Sequence, residues 1–192
     1  MIRLPQLVEI TPQAHGVLLD VRYATANNIT GQPIYTEPRC FLRPEAADAL
    51  ERAATLARHA GFRLVVFDGY RPRAAQAMLW RACPDARYVI PPEIGSTHTR
   101  GIAVDLTLAD DKGQPLDMGT EFDDMRELAW PASTEIPPEA LRHRMWLAGI
   151  MHTAGFIGIA TEWWHFQLPS IWPQLPLRCL PQDAREALLS PS

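Results

Sequence analysis

Two short blocks, far apart in the chain, constrain this sequence more than anything else in it. The first reads Ser96-Thr97-His98-Thr99-Arg100-Gly101-Ile102-Ala103-Val104-Asp105, and the second Glu162-Trp163-Trp164-His165. Between them they offer two imidazoles and two carboxylates. A catalytic zinc site asks for three N/O ligands, an open position for water, and a base beside that water. His98, Asp105 and His165, with Glu162 as the spare carboxylate, form such a set. A fold that uses it must bring a loop, a strand and a distant segment to one point.

The spacing from His98 to Asp105 misses the three- or four-residue interval of a helical face. It suits a loop ligand followed by a strand ligand, with Gly101 letting the chain turn. Over Gly101–Leu108 the residues alternate: Ile102, Val104, Leu106 and Leu108 face one way, Ala103, Asp105 and Thr107 the other. Asp105 is therefore expected on a strand, opposite an apolar face. A second strand is expected over Thr161–Leu168. On a regular strand Glu162 and His165 would point to opposite faces. Either the segment is bulged, or Glu162 lies at the strand's entry and reaches round. Trp163, Trp164 and Phe166 are expected to wall the site. A lone buried histidine is ordinarily hydrogen-bonded core, and a lone aspartate at a strand end is ordinarily solvated. On the residues alone the metal reading and these plainer ones both stand. His15, His59, His143 and His152 lack such surroundings and read as structural or solvated.

The clearest helix runs Pro44–His59, with Ala46, Ala49, Leu50, Ala53, Leu56 and Ala57 at helical spacing and Gly61 closing its end. Phe62–Phe67 is a β-rich run. Pro72–Arg81 and Pro138–Ala154 read as further helices, the latter with a stripe of Leu141, Met145, Ala148 and Met151 and a stop at Gly155. Pro169–Ser192 is proline-rich and is expected to wrap the surface. The length suits one domain over 1–192. Few helices and scattered strands predict the α+β class.

A net charge of −4 without a basic run argues against nucleic acid and against a membrane surface. Cys40, Cys83 and Cys179 are odd in number and widely spaced. They indicate neither a disulfide framework nor a cysteine zinc site, and read as reduced thiols of a cytoplasmic protein. Pro5, Gln6 and Glu9 interrupt the N-terminal apolar residues, which disfavours an export signal, and no apolar run is long enough to span a bilayer.

Ser96-x-His98-x-x-Gly101-x-Ala103-x-Asp105 followed by Glu162-Trp163-Trp164-His165 resembles the zinc D-alanyl-D-alanine dipeptidases of peptidase family M15, the VanX type. Three more blocks share the resemblance. They are Val21-Arg22-Tyr23-Ala24-Thr25 with Asn28-Ile29-Thr30-Gly31, Asp68-Gly69-Tyr70-Arg71-Pro72, and Met118-Gly119-Thr120-x-Phe122-Asp123. The resemblance implies one zinc per chain held by His98, Asp105 and His165, with Glu162 as catalytic base. It implies Arg71 facing the oxyanion, Asp123 pairing with the substrate's ammonium, and Ser96 on its carboxylate side. Tyr23 and Asp68 would help shape the substrate site. The implied fold is a small, mainly antiparallel sheet with flanking helices, as in the DD-peptidase and hedgehog N-terminal group.

The expected activity is hydrolysis of D-Ala-D-Ala to two D-alanines, with the small dipeptide as the partner. Two rivals share the metal set. A peptidoglycan DD- or LD-carboxypeptidase would need an open cleft, and Asp123 argues against it. A non-catalytic zinc-binding module would have no need of Glu162.

Overall fold

The computed structural model describes residues 7–169. In chain order the elements are β1 (Val8–Ile10), α1 (Pro12–His15), β2 (Leu18–Leu19), β3 (Cys40–Leu42), α2 (Pro44–His59), β4 (Arg63–Asp68), α3 (Arg73–Ala82), β5 (Ala103–Ala109), α4 (Pro138–Thr153), β6 (Ile157–Gly158) and β7 (His165–Gln167). Short 3-10 turns lie at Arg22–Ala24 and Glu127–Ala129. A five-stranded sheet has the order β2-β4-β5-β7-β6, and β1 pairs with β3 apart from it. All pairings are antiparallel except that of β2 with β4. This is the expected α+β class with a small, mainly antiparallel sheet.

The alternation over Gly101–Leu108 becomes β5, the central strand. Every residue of β5 is buried, the polar face included. Val104, Leu106 and Leu108 enter the apolar core, while α2 lies against β4 and α4 against β5. Asp105 is thus enclosed, which ionised carboxylates tolerate only with partners.

Register then sets the site. The β4–β5 ladder pairs Val66 with Leu106 but Asp68 with Asp105, so Phe67 is the extra residue of a bulge. Bulges re-aim the side chains beside them. On the other side Asp105 is opposite His165. Three neighbouring strands therefore set Asp68, Asp105 and His165 in a row.

The predicted helices are present with small shifts at their ends. α2 has Pro44 in its first turn, and Gly61 beyond its end takes a positive φ of 83°. Its buried face is mostly alanine, which lets it approach the sheet closely, and Leu56 lies at the exposed edge rather than in the core. The α4 stripe holds at Met151, which is buried, and at Ala148, which packs against the core, but it fails at Met145. The inward residues are Ala140, His143, Arg144, Leu147 and Met151, while Met145 is 63% exposed. Arg144 is turned inward because its guanidinium donates to the carbonyls of Met118, Leu128 and Trp130. His143 packs beside it, 2.7 Å from the Asp117 carbonyl. These bonds satisfy loop carbonyls that would otherwise be buried unpaired.

Cys40 and Cys83 are unpaired thiols. Cys179 and the stretch after Pro169 lie outside the described residues. Among those described, no helix is long and apolar enough to cross a membrane.

Candidate metal centre and active site

Strand β4 delivers the first support. It ends at Asp68, and Gly69 follows so close to β3 that a Cβ there would lie 2.6 Å from Cys40 Sγ and 2.7 Å from the Phe41 carbonyl. Only glycine permits that approach. The Gly69 carbonyl is thereby aimed at His98, whose Nδ1 stands 2.7 Å away and must donate to it. The Nε2 lone pair of His98 is left facing inward. His98 itself sits in the turn after Ser96, which Gly101 closes at a φ of 71°.

His165, at the start of β7, completes the triangle. Its Nδ1 lies 3.0 Å from His98 Nε2 and 3.1 Å from Asp105 Oδ1. His98 Nε2 is 3.2 Å from the same oxygen. On its far side, His165 Nε2 meets Gln167 Oε1 at 3.0 Å, and Gln167 is in turn held by Thr97. With both imidazoles donating outward, three lone pairs converge on one point. Such a cluster is repulsive unless a cation sits among the three atoms. Their separations match ligand atoms about 2.0–2.2 Å from one shared ion. The N/N/O donor set and the outward hydrogen bonds would suit a zinc ion. Among the described residues this is the only group of its kind.

The electrostatics agree. Burial opposes ionisation of Asp105, yet His98 and His165 hold its carboxyl well below the usual carboxylate range. Burial works against protonation of His165 too, but Asp105 raises its proton affinity. A proton and a metal therefore compete for the same place.

Glu162 resolves the question that alternation left open. It precedes β7, in a turn tied down by Trp163 N–H to the Ala129 carbonyl and by Leu106 N–H to the Trp164 carbonyl. It thus reaches the metal site from the strand's entry, without a bulge. Its Oε2 lies 3.9 Å from His165 Nδ1. It makes no hydrogen bond to another described residue, and burial pushes its pKa up to about 8. A carboxyl with this proton affinity beside a metal site is suited to general acid–base work at neutral pH.

Arg71 is buried and closely held. Its Nε donates to Asp68 at 2.9 Å, one Nη to Gln76 at 3.2 Å, and the other to Asp105 at 3.2 Å and to the Tyr23 hydroxyl at 3.4 Å. Asp68 is steadied by the Tyr35 hydroxyl at 2.9 Å, and burial raises its pKa despite Arg71. Asp123 stands at a φ of 61°, the one described non-glycine residue with positive φ. Its carboxylate accepts from Tyr23 at 3.1 Å and from the Ile29 amide at 3.0 Å. Burial raises its pKa to about 7. A strained backbone held in place by two donors keeps this carboxylate aimed inward.

One cavity of about 300 Å³ brings together His98, Asp105, His165, Glu162, Arg71, Asp123, Ser96 and Tyr23. Asp68 does not line it and stands behind Arg71. Of the three aromatics expected to wall the site, only Trp164 does so. Trp163 and Phe166 line a separate cavity on the other side of Glu162 and His165. Alternation along β7 turns Phe166 away from His165, and the Trp163 indole N–H is drawn off by the Thr120 hydroxyl at 2.8 Å. Sequence reading missed Gln76, Tyr35, Gly69 and Gln167. Gln167 shares the strand face of His165, so its position carried a signal; the other three act through distant partners.

The model of the Peptidase_M15 family, described as D-ala-D-ala dipeptidase, matches residues 4–179. The D-alanyl-D-alanine dipeptidase of Escherichia coli (strain K12) is 46% identical over 164 residues, covering 85% of each chain. That of Enterococcus faecium is 36% identical over 175 residues, covering 80% of this chain and 87% of that protein. Among solved structures, the LdcB LD-carboxypeptidase is 22% identical, covering 67% of this chain and 59% of that one, with a TM-score of 0.45. The chain belongs to the peptidase M15 family of D-ala-D-ala dipeptidases.

Proposed function

We propose that this chain is a zinc-dependent dipeptidase that hydrolyses D-Ala-D-Ala to two D-alanines, with residues 1–192 as one catalytic domain. The observation that carries the proposal is the triangle of His98, Asp105 and His165 with Glu162 beside it, in a cavity at the small end of the range for small-molecule sites. One zinc per chain is the proposed cofactor. When bound, it supplies Lewis acidity towards a carbonyl oxygen and makes water more acidic.

The residues divide the remaining work. Glu162 takes the proton of the attacking water and passes it to the leaving amine. Arg71, already oriented by Asp68, presents its guanidinium where negative charge grows on the scissile carbonyl oxygen. Asp123 receives the substrate's ammonium, and Tyr23 bridges Asp123 to Arg71. Ser96 lies on the carboxylate side. The proposed setting is the cytoplasm, where free thiols such as Cys40 and Cys83 are ordinary, and the proposed role is turnover of cell-wall dipeptide.

Asp123 favours this reading over a carboxypeptidase, whose substrate carries no free ammonium at that point. Rates on D-Ala-D-Ala, N-acetyl-D-Ala-D-Ala and L-Ala-L-Ala test it. The free D,D-dipeptide should be cleaved and the other two barely. Equal rates on free and acetylated dipeptide would instead favour the carboxypeptidase.

A further inference from the structure

The three corners of the triangle are backed in different ways. Asp105 has the Arg71 guanidinium behind it. His98 leans on the main-chain carbonyl of Gly69. His165 leans on a side chain, the Gln167 amide. It also depends more on that support. His165 faces the other two corners through Nδ1. A half-turn of its ring about Cβ–Cγ would put the Cδ2 carbon in that place, and carbon cannot hold a cation. The bond from Nε2 to Gln167 is made in the first orientation and lost in the second.

Gln167 is itself held. Its Oε1 accepts from Nε2 of His165 at 3.0 Å and from the Thr97 hydroxyl at 2.9 Å. Two donors on one oxygen decide which end of the amide faces the ring. The strand supplies the position: Gln167 follows His165 by two residues on β7, between Ala103 of β5 and Ile157 of β6. Thr97 directly precedes His98. The Thr97 carbonyl accepts from the Ile102 amide at 3.2 Å, and the Ile102 carbonyl accepts from the Leu168 amide at 3.0 Å. Side chains and main chain thus join the turn that carries His98 to the strand that carries His165.

We propose that Gln167, braced by Thr97, is a positioning residue: it holds His165 as an Nδ1 ligand and ties the placement of the two imidazoles together. This deepens the zinc dipeptidase reading and rests on it. An acceptor behind an imidazole sets both its tautomer and its ring orientation, and it strengthens the ligating nitrogen as a donor. The Gln167 amide does this as a neutral acceptor, and a carboxylate in its place does it more strongly. Thr97 acts through Gln167, so its contribution exists only while Gln167 is present.

Zinc affinity, measured by competition with a chelator on stripped and reloaded protein, tests the proposal. Gln167→Leu keeps the bulk of the side chain and should bind zinc about 10–100-fold more weakly than wild type. Gln167→Glu should bind it more tightly than wild type. Thr97→Val should weaken binding by less than Gln167→Leu does, and in the Gln167→Leu background it should add nothing. At saturating zinc, turnover of Gln167→Leu should return to near the wild-type rate, because the variant loses occupancy rather than chemistry. If Gln167→Leu does not fold, Gln167→Glu and Thr97→Val still decide. Unchanged affinity in Gln167→Leu or in Thr97→Val, a Gln167→Glu no tighter than wild type, or a Thr97→Val loss that persists without Gln167 overturns the brace and leaves the zinc dipeptidase standing. A wild type that binds no zinc overturns the zinc reading and the brace together.

Discussion

Asp105 on the inner side of the cavity and the pair Glu162 and Asp123 at its outer side are carboxyls with opposite proton affinities; Asp105 and Glu162 are buried and Asp123 is half-buried. Asp105 has the His98 and His165 rings and the Arg71 guanidinium around it, and is held ionised. Glu162 has no hydrogen-bond partner among the described residues, and Asp123 has two neutral donors. Both are pushed up, to about 8 and about 7. Burial alone would have raised all three. Charged partners decide which carboxyl keeps its negative charge and which holds a proton. In the proposed mechanism the inner side holds a cation at all times, and the outer side accepts one, a proton at Glu162 or an ammonium at Asp123, only during turnover.

Removing a member of the inner side should have the largest effect. His165→Ala takes away one corner of the triangle and should abolish both bound zinc and measurable turnover. Elemental analysis that finds full zinc in this variant breaks the comparison at its base. Asp123→Ala comes next. It strips the ammonium of its counter-charge in an enclosed site, a loss of roughly 3–5 kcal/mol. The readout is kcat/KM on the free dipeptide, with zinc content unchanged.

Arg71→Ala should lower kcat by about 10²–10³-fold, the loss typical of one oxyanion donor. Because Arg71 also holds Asp105 at 3.2 Å, it should weaken zinc binding as well, by roughly 10–100-fold. Assays at saturating zinc separate the two effects. A raised KM with kcat intact would assign Arg71 to ground-state binding.

A pH effect on stability is the smallest. Glu162 and Asp123 have folded pKa values raised above their ordinary 4.5 and 3.8. The folded protein therefore holds more protons than the unfolded chain between about pH 4 and 8, and stability falls as pH rises through that window. Asp105 acts in the opposite sense, and its stabilisation is lost only below the usual carboxylate range. In protein stripped of metal, Tm should decline from pH 5 to 8, and zinc should flatten the decline. A Tm that climbs across this window in stripped protein contradicts the assignment of the outer pair.

Much of this was legible in the sequence, because local rules govern it. Period-two alternation located β5, and prolines and glycines located the ends of α2 and α4. The paired blocks named the triangle. What escaped was set by tertiary partners. The buried face of α4 was read only in part, because Arg144 and His143 are drawn inward by loop carbonyls, which no apolar periodicity records. Glu162 could not be placed by alternation because it precedes the strand. Trp163 and Phe166 carried the right chemistry on the wrong side of that strand. Tyr35 and Gln76 orient Asp68 and Arg71 across long stretches of chain. Gly69 is required by its contact with Cys40 and Phe41, which the sequence does not reveal.

The central claim is that Glu162 moves the proton while the triangle alone holds the metal. Zinc content and turnover of Glu162→Gln, measured on the same sample, test it most directly. The amide keeps the size of the side chain but cannot take a proton. About one zinc per chain should remain, with kcat lower by at least about 10²-fold. Full zinc with a near-normal rate would place the base elsewhere, and loss of zinc would make Glu162 a ligand.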